Sequence, residues 1–211
     1  LVFAHQEIYP AWVRTIINAD NFETLKQSGQ SLLVAVSRPA RALGLGASVT
    51  AGTLAHLIDE NIWHSIHPPL PKALGLRTEF IDIRQCQSLE EAQALLIAAA
   101  AAPPFMSSLR VGGHWAFDGG YTDHAPIPPQ TPAEKAATLV LLTRHYPGKP
   151  TTFVSRGRHY WQPSQQIPVS TWDVTSKATV EDAFALGYED AHTAIGTRLL
   201  HGNSGSEQSI R

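Results

Sequence analysis

Leu109-Arg110-Val111-Gly112-Gly113-His114-Trp115-Ala116-Phe117-Asp118-Gly119-Gly120 is the stretch on which the reading of this chain turns. Two short apolar arms flank Gly112-Gly113, and glycine tolerates positive φ at both central positions of a two-residue hairpin turn. The second arm runs directly into Asp118, with two glycines behind it that let the backbone turn sharply or approach a neighbour closely. That arrangement aims a short carboxylate out of a strand end. Asp-Gly is also a common turn dipeptide, so the motif gains meaning only from what surrounds it.

Upstream, Ser88 followed by Glu91 forms a capping-box start for an alanine-rich helix that must stop before Pro103-Pro104. Arg77 to Arg84 alternates as a strand. Ser31 to Ser37 is a nearly continuous apolar run closed by Arg38-Pro39, the pattern of a strand in the middle of a sheet covered on both faces. Tyr9 to Lys26 and Ala47 to Ile66 carry apolar residues at helical spacing, the second stopped by Pro68-Pro69-Leu70-Pro71. Downstream, Thr138 to Thr143 reads as another buried strand, Thr151 to Ser155 as a further one, and Val180 to Leu200 as a helix. Strands alternate with helices, so the class is α/β. Residues 1–200 are read as one domain and 201–211, a Gly-Ser-rich run, as a loose tail.

Composition narrows the function classes. With 43% hydrophobic and 16% charged residues, 211 residues suffice for a sizeable core. A net charge of −2 with ten scattered histidines supplies no basic field to hold nucleic acid. The single cysteine, Cys86, excludes an internal disulfide and reads as a buried thiol in a reducing compartment. Leu1-Val2-Phe3-Ala4-His5 lacks the features of a secretory signal and reads as a chain entered part-way. The longest uncharged stretch, Ala92 to Leu109, is alanine-rich and broken by prolines, so no transmembrane helix is expected.

The segment from Leu89 to Pro128 resembles the region around the catalytic aspartate of patatin-like phospholipases. The shared features are Ala98 to Ala102, Pro103-Pro104-Phe105, the hairpin about Gly112-Gly113, Asp118-Gly119-Gly120, and Asp123-His124-Ala125-Pro126. More weakly, the likeness extends to Leu32–Val36, Leu139–Thr143, Trp161-Gln162-Pro163-Ser164 and Asp173-Val174-Thr175 with the helix holding Gly187 and Ala191. His124 departs from the family, which usually has asparagine there.

The resemblance implies a three-layer α/β/α fold, incomplete at its N-terminus, and an acyl hydrolase that needs no cofactor and no metal. Its Ser-Asp dyad would cut a lipid or other carboxylic ester, with Asp118 as general base and Gly119 and Gly120 supporting it. The nucleophile's Gly-X-Ser-X-Gly pattern occurs nowhere in the 211 residues. Gly46-Ala47-Ser48-Val49-Thr50 comes nearest but has threonine for the second glycine. The Gly-rich oxyanion loop is missing too, and both elements precede the aspartate strand in the family. The serine is therefore expected outside this chain.

A cytoplasmic or peripheral-membrane location follows from the same likeness. The rival reading is a non-catalytic lipid-binding or interaction protein on the same fold. A third, an unrelated α/β protein whose Asp-Gly-Gly is only a turn, predicts that Asp118 points to bulk solvent. Lesser candidates are a His64-X-X-His67 pair with metal-ligand spacing but no third ligand, and a basic-aromatic group of Arg156, Arg158, His159, Tyr160 and Trp161. Trp63, Ile66 and the Pro68–Pro71 loop suggest a lipid-facing lid.

Overall fold

A computed structural model describes residues 5–103, 105–169 and 180–202. The chain is mixed α/β and divides into two compact units, Leu1–Pro128 and Pro129–Arg211.

The first unit is built on a four-stranded sheet of order β2-β1-β4-β3. Its strands are β1 (Leu33–Arg38), β2 (Arg77–Asp82), β3 (Leu109–Val111) and β4 (His114–Asp118), and each pairing is antiparallel. β1 lies in the middle, as its unbroken apolar run predicts. The β3–β4 hairpin turns at Gly112 (φ +58) and Gly113 (φ +77), which places Val111 opposite His114.

Side chains leave each strand alternately, so Ala116 and Phe117 face opposite sides. On one side Val34, Val36, Val111 and Ala116 join Ile17, Phe22, Ala92, Leu95 and Ala98. These come from or adjoin the helices α1 (His5–Ile16), α2 (Ala19–Gln27) and α5 (Leu89–Ala99). On the other side Phe117 packs with Ala40, Leu76, Leu45, Val49 and Tyr121, beneath α3 (Gly44–Ile58). Cys86 is buried in the first of these clusters, and burial raises its thiol pKa.

Several boundaries have local causes. Ser88 Oγ accepts from Glu91 N–H at 3.2 Å, while the Glu91 carboxylate accepts from Gln87 N–H at 2.7 Å, one residue before the cap. The helical run expected from Tyr9 to Lys26 is two helices, because Asn18 leaves helical geometry and caps α2, exchanging side-chain bonds with Asn21. The run expected from Ala47 to Ile66 lies three residues earlier in the chain, from Gly44 to Trp63. After Ile58 it widens into one π-helical turn, Asp59–Trp63. There Asp59 ends it: its carbonyl accepts from His64 N–H at 2.7 Å and its carboxylate from Ser65 N–H at 3.0 Å. Pro68 and Pro71 are fully buried, around the short α4 (Leu70–Ala73).

The second unit holds α6 (Pro132–Ala136), β5 (Leu139–Leu141), β6 (Thr152–Ser155), β7 (Arg158–Trp161) and α7 (Val180–Gly202). β7 is central, parallel to β5 and antiparallel to β6. β5 is not the strand buried on both faces that its composition suggests. It is an edge, and among the described residues Leu139 (52% exposed) and Leu141 (67%) lie on an uncovered face. β7 emerges from the group read as a basic-aromatic patch. Arg158 and Tyr160 turn inward, one donating to Gln130 Oε1 at 2.7 Å and the other stacking on Phe153, while His159 between them is exposed. Arg156 (φ +49) and Gly157 (φ +79) make its turn. Of the tail, residues 203–211 lie outside the described residues, as do Asp173, Val174 and Thr175.

Candidate active site

Asp118 ends β4 opposite Val36, and its N–H donates to Ala101 O at 2.9 Å, tying the strand end to the segment after α5. The chain then folds into a 3-10 turn, Gly119–Tyr121, that Asp118 caps by accepting from Gly120 N–H at 2.7 Å. Neither glycine is needed for left-handed backbone; close approach of backbone demands Gly119, while at Gly120 a side chain would crowd only the Asp118 carboxylate. A Cβ on Gly119 would lie 2.7 Å from the Ala35 carbonyl oxygen of β1, and one on Gly120 would lie 3.0 Å from Asp118 Oδ1. The Gly119 carbonyl is gripped in turn by Thr122 N–H and Oγ1, both at 3.1 Å, and by Ser37 Oγ at 3.3 Å.

The Asp118 carboxyl is half-buried. Burial raises its pKa above the ordinary 3.8, against the opposing pull of the Gly120 N–H and the His56 charge. Its neighbours respond to it. The phenols of Tyr9 and Tyr121 are raised chiefly by burial and further by the Asp118 charge, with a Thr53 hydrogen bond opposing the rise at Tyr121. Tyr121 OH donates to Pro103 O at 2.5 Å.

The following loop is held by a second carboxylate. Asp123 accepts from Lys72 Nζ at 2.9 Å and from Ala125 N–H at 3.1 Å, and it pairs with His67 Nδ1 at 2.7 Å. Burial works to raise its pKa, but the bonds from His67 and Lys72 prevail and leave it lowered. His124 packs edge-on against His56, ring centroids 5.2 Å apart, with its Nε2 3.4 Å from Asp59 Oδ2. An imidazole at position 124 thus has acidic company.

The other sequence candidates fall elsewhere. Ser48 is fully buried within α3, and its Oγ accepts the Ala40 N–H at 2.9 Å, holding the loop that enters the helix. Ser48→Ala is expected to lower stability by about 1–2 kcal/mol by leaving that buried donor unmet; chemical denaturation of the two proteins checks it. His67 is committed to Asp123, and His64 sits in left-handed backbone (φ +49) at the helix end. Among the described residues no group of three or more His, Cys, Asp or Glu is arranged for a metal.

The lid expectation divides. Ile66, Pro68 and Pro71 belong to the interior, whereas Trp63 is exposed together with Leu54, Leu57, Ile58 and Ile62. Among the described residues no helix is long and apolar enough to cross a membrane. Tyr9, His56 and Tyr121 were not singled out in the sequence. Helical spacing of Gly52, Thr53 and His56 is the one signal that could have pointed to His56. Compared with protein-family models, curated proteins and solved structures, the chain matches none.

Proposed function

We propose that Asp118 is the general base of a serine acyl hydrolase of the patatin-like kind, acting on a lipid or other carboxylic ester, with the serine contributed from outside these 211 residues. The observation that carries this reading is the state of Asp118 itself. It is a strand-end carboxylate, one oxygen fixed by the Gly120 N–H, withdrawn from bulk solvent so that its proton affinity rises toward a useful value. A turn aspartate would be solvated and ordinary. Helical layers on both faces of the first unit's sheet also suit a three-layer α/β/α domain.

In the proposed reaction the carboxylate takes the serine hydroxyl proton as the serine oxygen attacks the ester carbonyl. The tetrahedral intermediate collapses, the alcohol leaves with the proton returned by Asp118, and an acyl-serine remains. Water then gives its proton to Asp118, attacks the acyl carbon, and releases the carboxylic acid as the serine is regenerated.

A non-catalytic lipid-binding role is the second reading, favoured by the exposed apolar run Leu54, Leu57, Ile58, Ile62 and Trp63. Hydrolysis of a short-chain chromogenic ester separates the two. The comparison is between this chain, a chain extended upstream, and the extended chain with Asp118→Asn. Activity confined to the extended chain and lost on substitution supports the dyad. Activity in the 211 residues alone overturns the external serine, and silence throughout favours lipid binding.

A further inference from the structure

The sheet of the second unit has one filled face and one open face. Strand pairing sets Leu139, His159 and Val154 in a row across β5, β7 and β6, and Leu141, Trp161 and Thr152 in the next row. Alternation sends the intervening Val140, Tyr160 and Phe153 to the other side, where Tyr160 stacks on Phe153 and is 1% exposed. Among the described residues the open rows stay uncovered, with Leu141 67% and Val154 65% exposed. A sheet with one solvated face ordinarily turns polar side chains outward. Here the outward rows are largely apolar too, the mark of a surface that meets a partner.

Charge indicates the kind of partner. The chain carries −2 overall, yet residues 129–169 hold Lys135, Arg144, Lys149, Arg156 and Arg158 against Glu134 alone. Glu134 is engaged at its helix start, its Oε2 accepting from Thr131 N–H at 2.7 Å and from Thr131 Oγ1 at 2.9 Å. Lys149 and Arg158 serve the filled side, one over the Phe153 ring and the other bonded to Gln130. Lys135 and Arg156 stand at the rim of the open rows. Arg156 is exposed in the turn that follows Val154 by two residues, and a Cβ on the next residue, Gly157, would lie 3.8 Å from Lys135 Cβ. Glycine or asparagine suits the left-handed backbone at that turn position (φ +49) better than arginine does. The unit's other described acids, Glu181, Asp182, Glu189 and Asp190, belong to α7.

We propose that this face docks the chain on a bilayer surface rich in anionic phospholipid. Leu139, Leu141, Val154 and Trp161 enter the headgroup region, and Lys135 and Arg156 meet the lipid phosphates. Apolar entry and attraction to anionic headgroups add together, which is how a peripheral surface holds reversibly. Docking would bring the chain to lipid esters, but it does not rest on the reading of Asp118 as a base, because binding is measured without hydrolysis.

The test is co-sedimentation of this chain with vesicles of phosphatidylcholine, alone or mixed with phosphatidylserine. The wild type binds the mixed vesicles more tightly than the neutral ones, and added salt weakens that binding. Replacing both rim cations, Lys135→Gln with Arg156→Gln, weakens it about 25-fold, the product of about fivefold for each cation at an anionic surface. Neither side chain is buried, so the variant should fold as the wild type does. Leu141→Ser with Val154→Ser weakens binding at low and high salt alike, since apolar entry is not screened. No binding by the wild type, or unchanged binding in both variants, overturns the proposal. So does a loss confined to Leu57→Ser with Trp63→Ser, which would place docking on α3 and its π turn. A wild-type dimer that Leu141→Ser with Val154→Ser dissociates would assign the face to a second copy of the chain instead. In the upstream-extended chain, vesicle binding without ester hydrolysis would reject the Asp118 reading and keep this one, and hydrolysis without vesicle binding would do the reverse.

Discussion

Gly119→Ala is expected to destabilise the first unit by about 3 kcal/mol, an overpacking cost at the upper end of the usual range. The size follows from what the new methyl group meets. Its nearest neighbours are Ala35 O at 2.7 Å and Ala35 C at 3.3 Å, both backbone atoms of the central strand. No side chain can swing aside, so β1 and β4 must part where Val36 faces Asp118. Gly112→Ala makes the contrast, since nothing lies within 4 Å of its Cβ and only the positive φ resists; it should cost about 1 kcal/mol. At Gly120 the obstacle is Asp118 Oδ1 at 3.0 Å, so alanine there displaces the carboxylate more than the fold. Urea unfolding of the three variants ranks them. A Gly119→Ala midpoint equal to that of Gly112→Ala would contradict the close approach.

Asp118→Asn is expected to do opposite things to activity and stability. In an ester-hydrolysing form of the protein it removes the base, and a loss of about 10²–10⁴-fold is the ordinary scale for general-base catalysis. Stability at neutral pH should rise. The folded-state pKa of Asp118 lies above the unfolded value of 3.8, so between those two values the native chain holds more protons than the unfolded one. Stability therefore falls as pH climbs through that window and stays reduced above it. Asparagine lifts that penalty while keeping an oxygen to accept the Gly120 N–H. Melting temperatures should coincide below about pH 4, the unfolded carboxylate range, and the variant's should be higher at pH 7. Identical profiles at every pH would mean that the carboxylate is solvated, and the reading of Asp118 as a tuned base would fall with it.

A device that destabilises the fold at the group it needs for chemistry is common at functional sites. Asp82, elsewhere on the sheet, shows the reverse case: hydrogen bonds from Arg84 are the largest of several effects that take its pKa down to about 2. Its contribution favours folding above the ordinary carboxylate range and fades as pH falls toward 2.

Much of the local structure can be read from residues a few positions apart. Ser88 with Glu91 marks a helix start, Gly112-Gly113 a hairpin, the Ser31–Ser37 run a central strand, and Asp118-Gly119-Gly120 a carboxylate at a strand end. Each depends on capping, φ preference or apolar period, which act within one turn or one strand.

Three things came only with the tertiary structure. Antiparallel pairing of β1 with β2 and β4 was not implied by alternating strands and helices, because the choice of neighbour rests on contacts such as Ser37 Oγ to Gly119 O, 82 residues apart. β7 was hidden because its inward residues, Arg158 and Tyr160, are polar-tipped side chains whose burial depends on partners such as Gln130 and Phe153. The state of Asp118 was hidden for the same reason. The sequence by itself determined that a carboxylate stands at the end of β4; desolvation by the packed chain, the Gly120 N–H and a histidine 62 positions earlier decided how readily it takes a proton. Local sequence specifies backbone geometry through short-range sterics and hydrogen bonds, whereas charge state depends on which distant groups folding brings within reach.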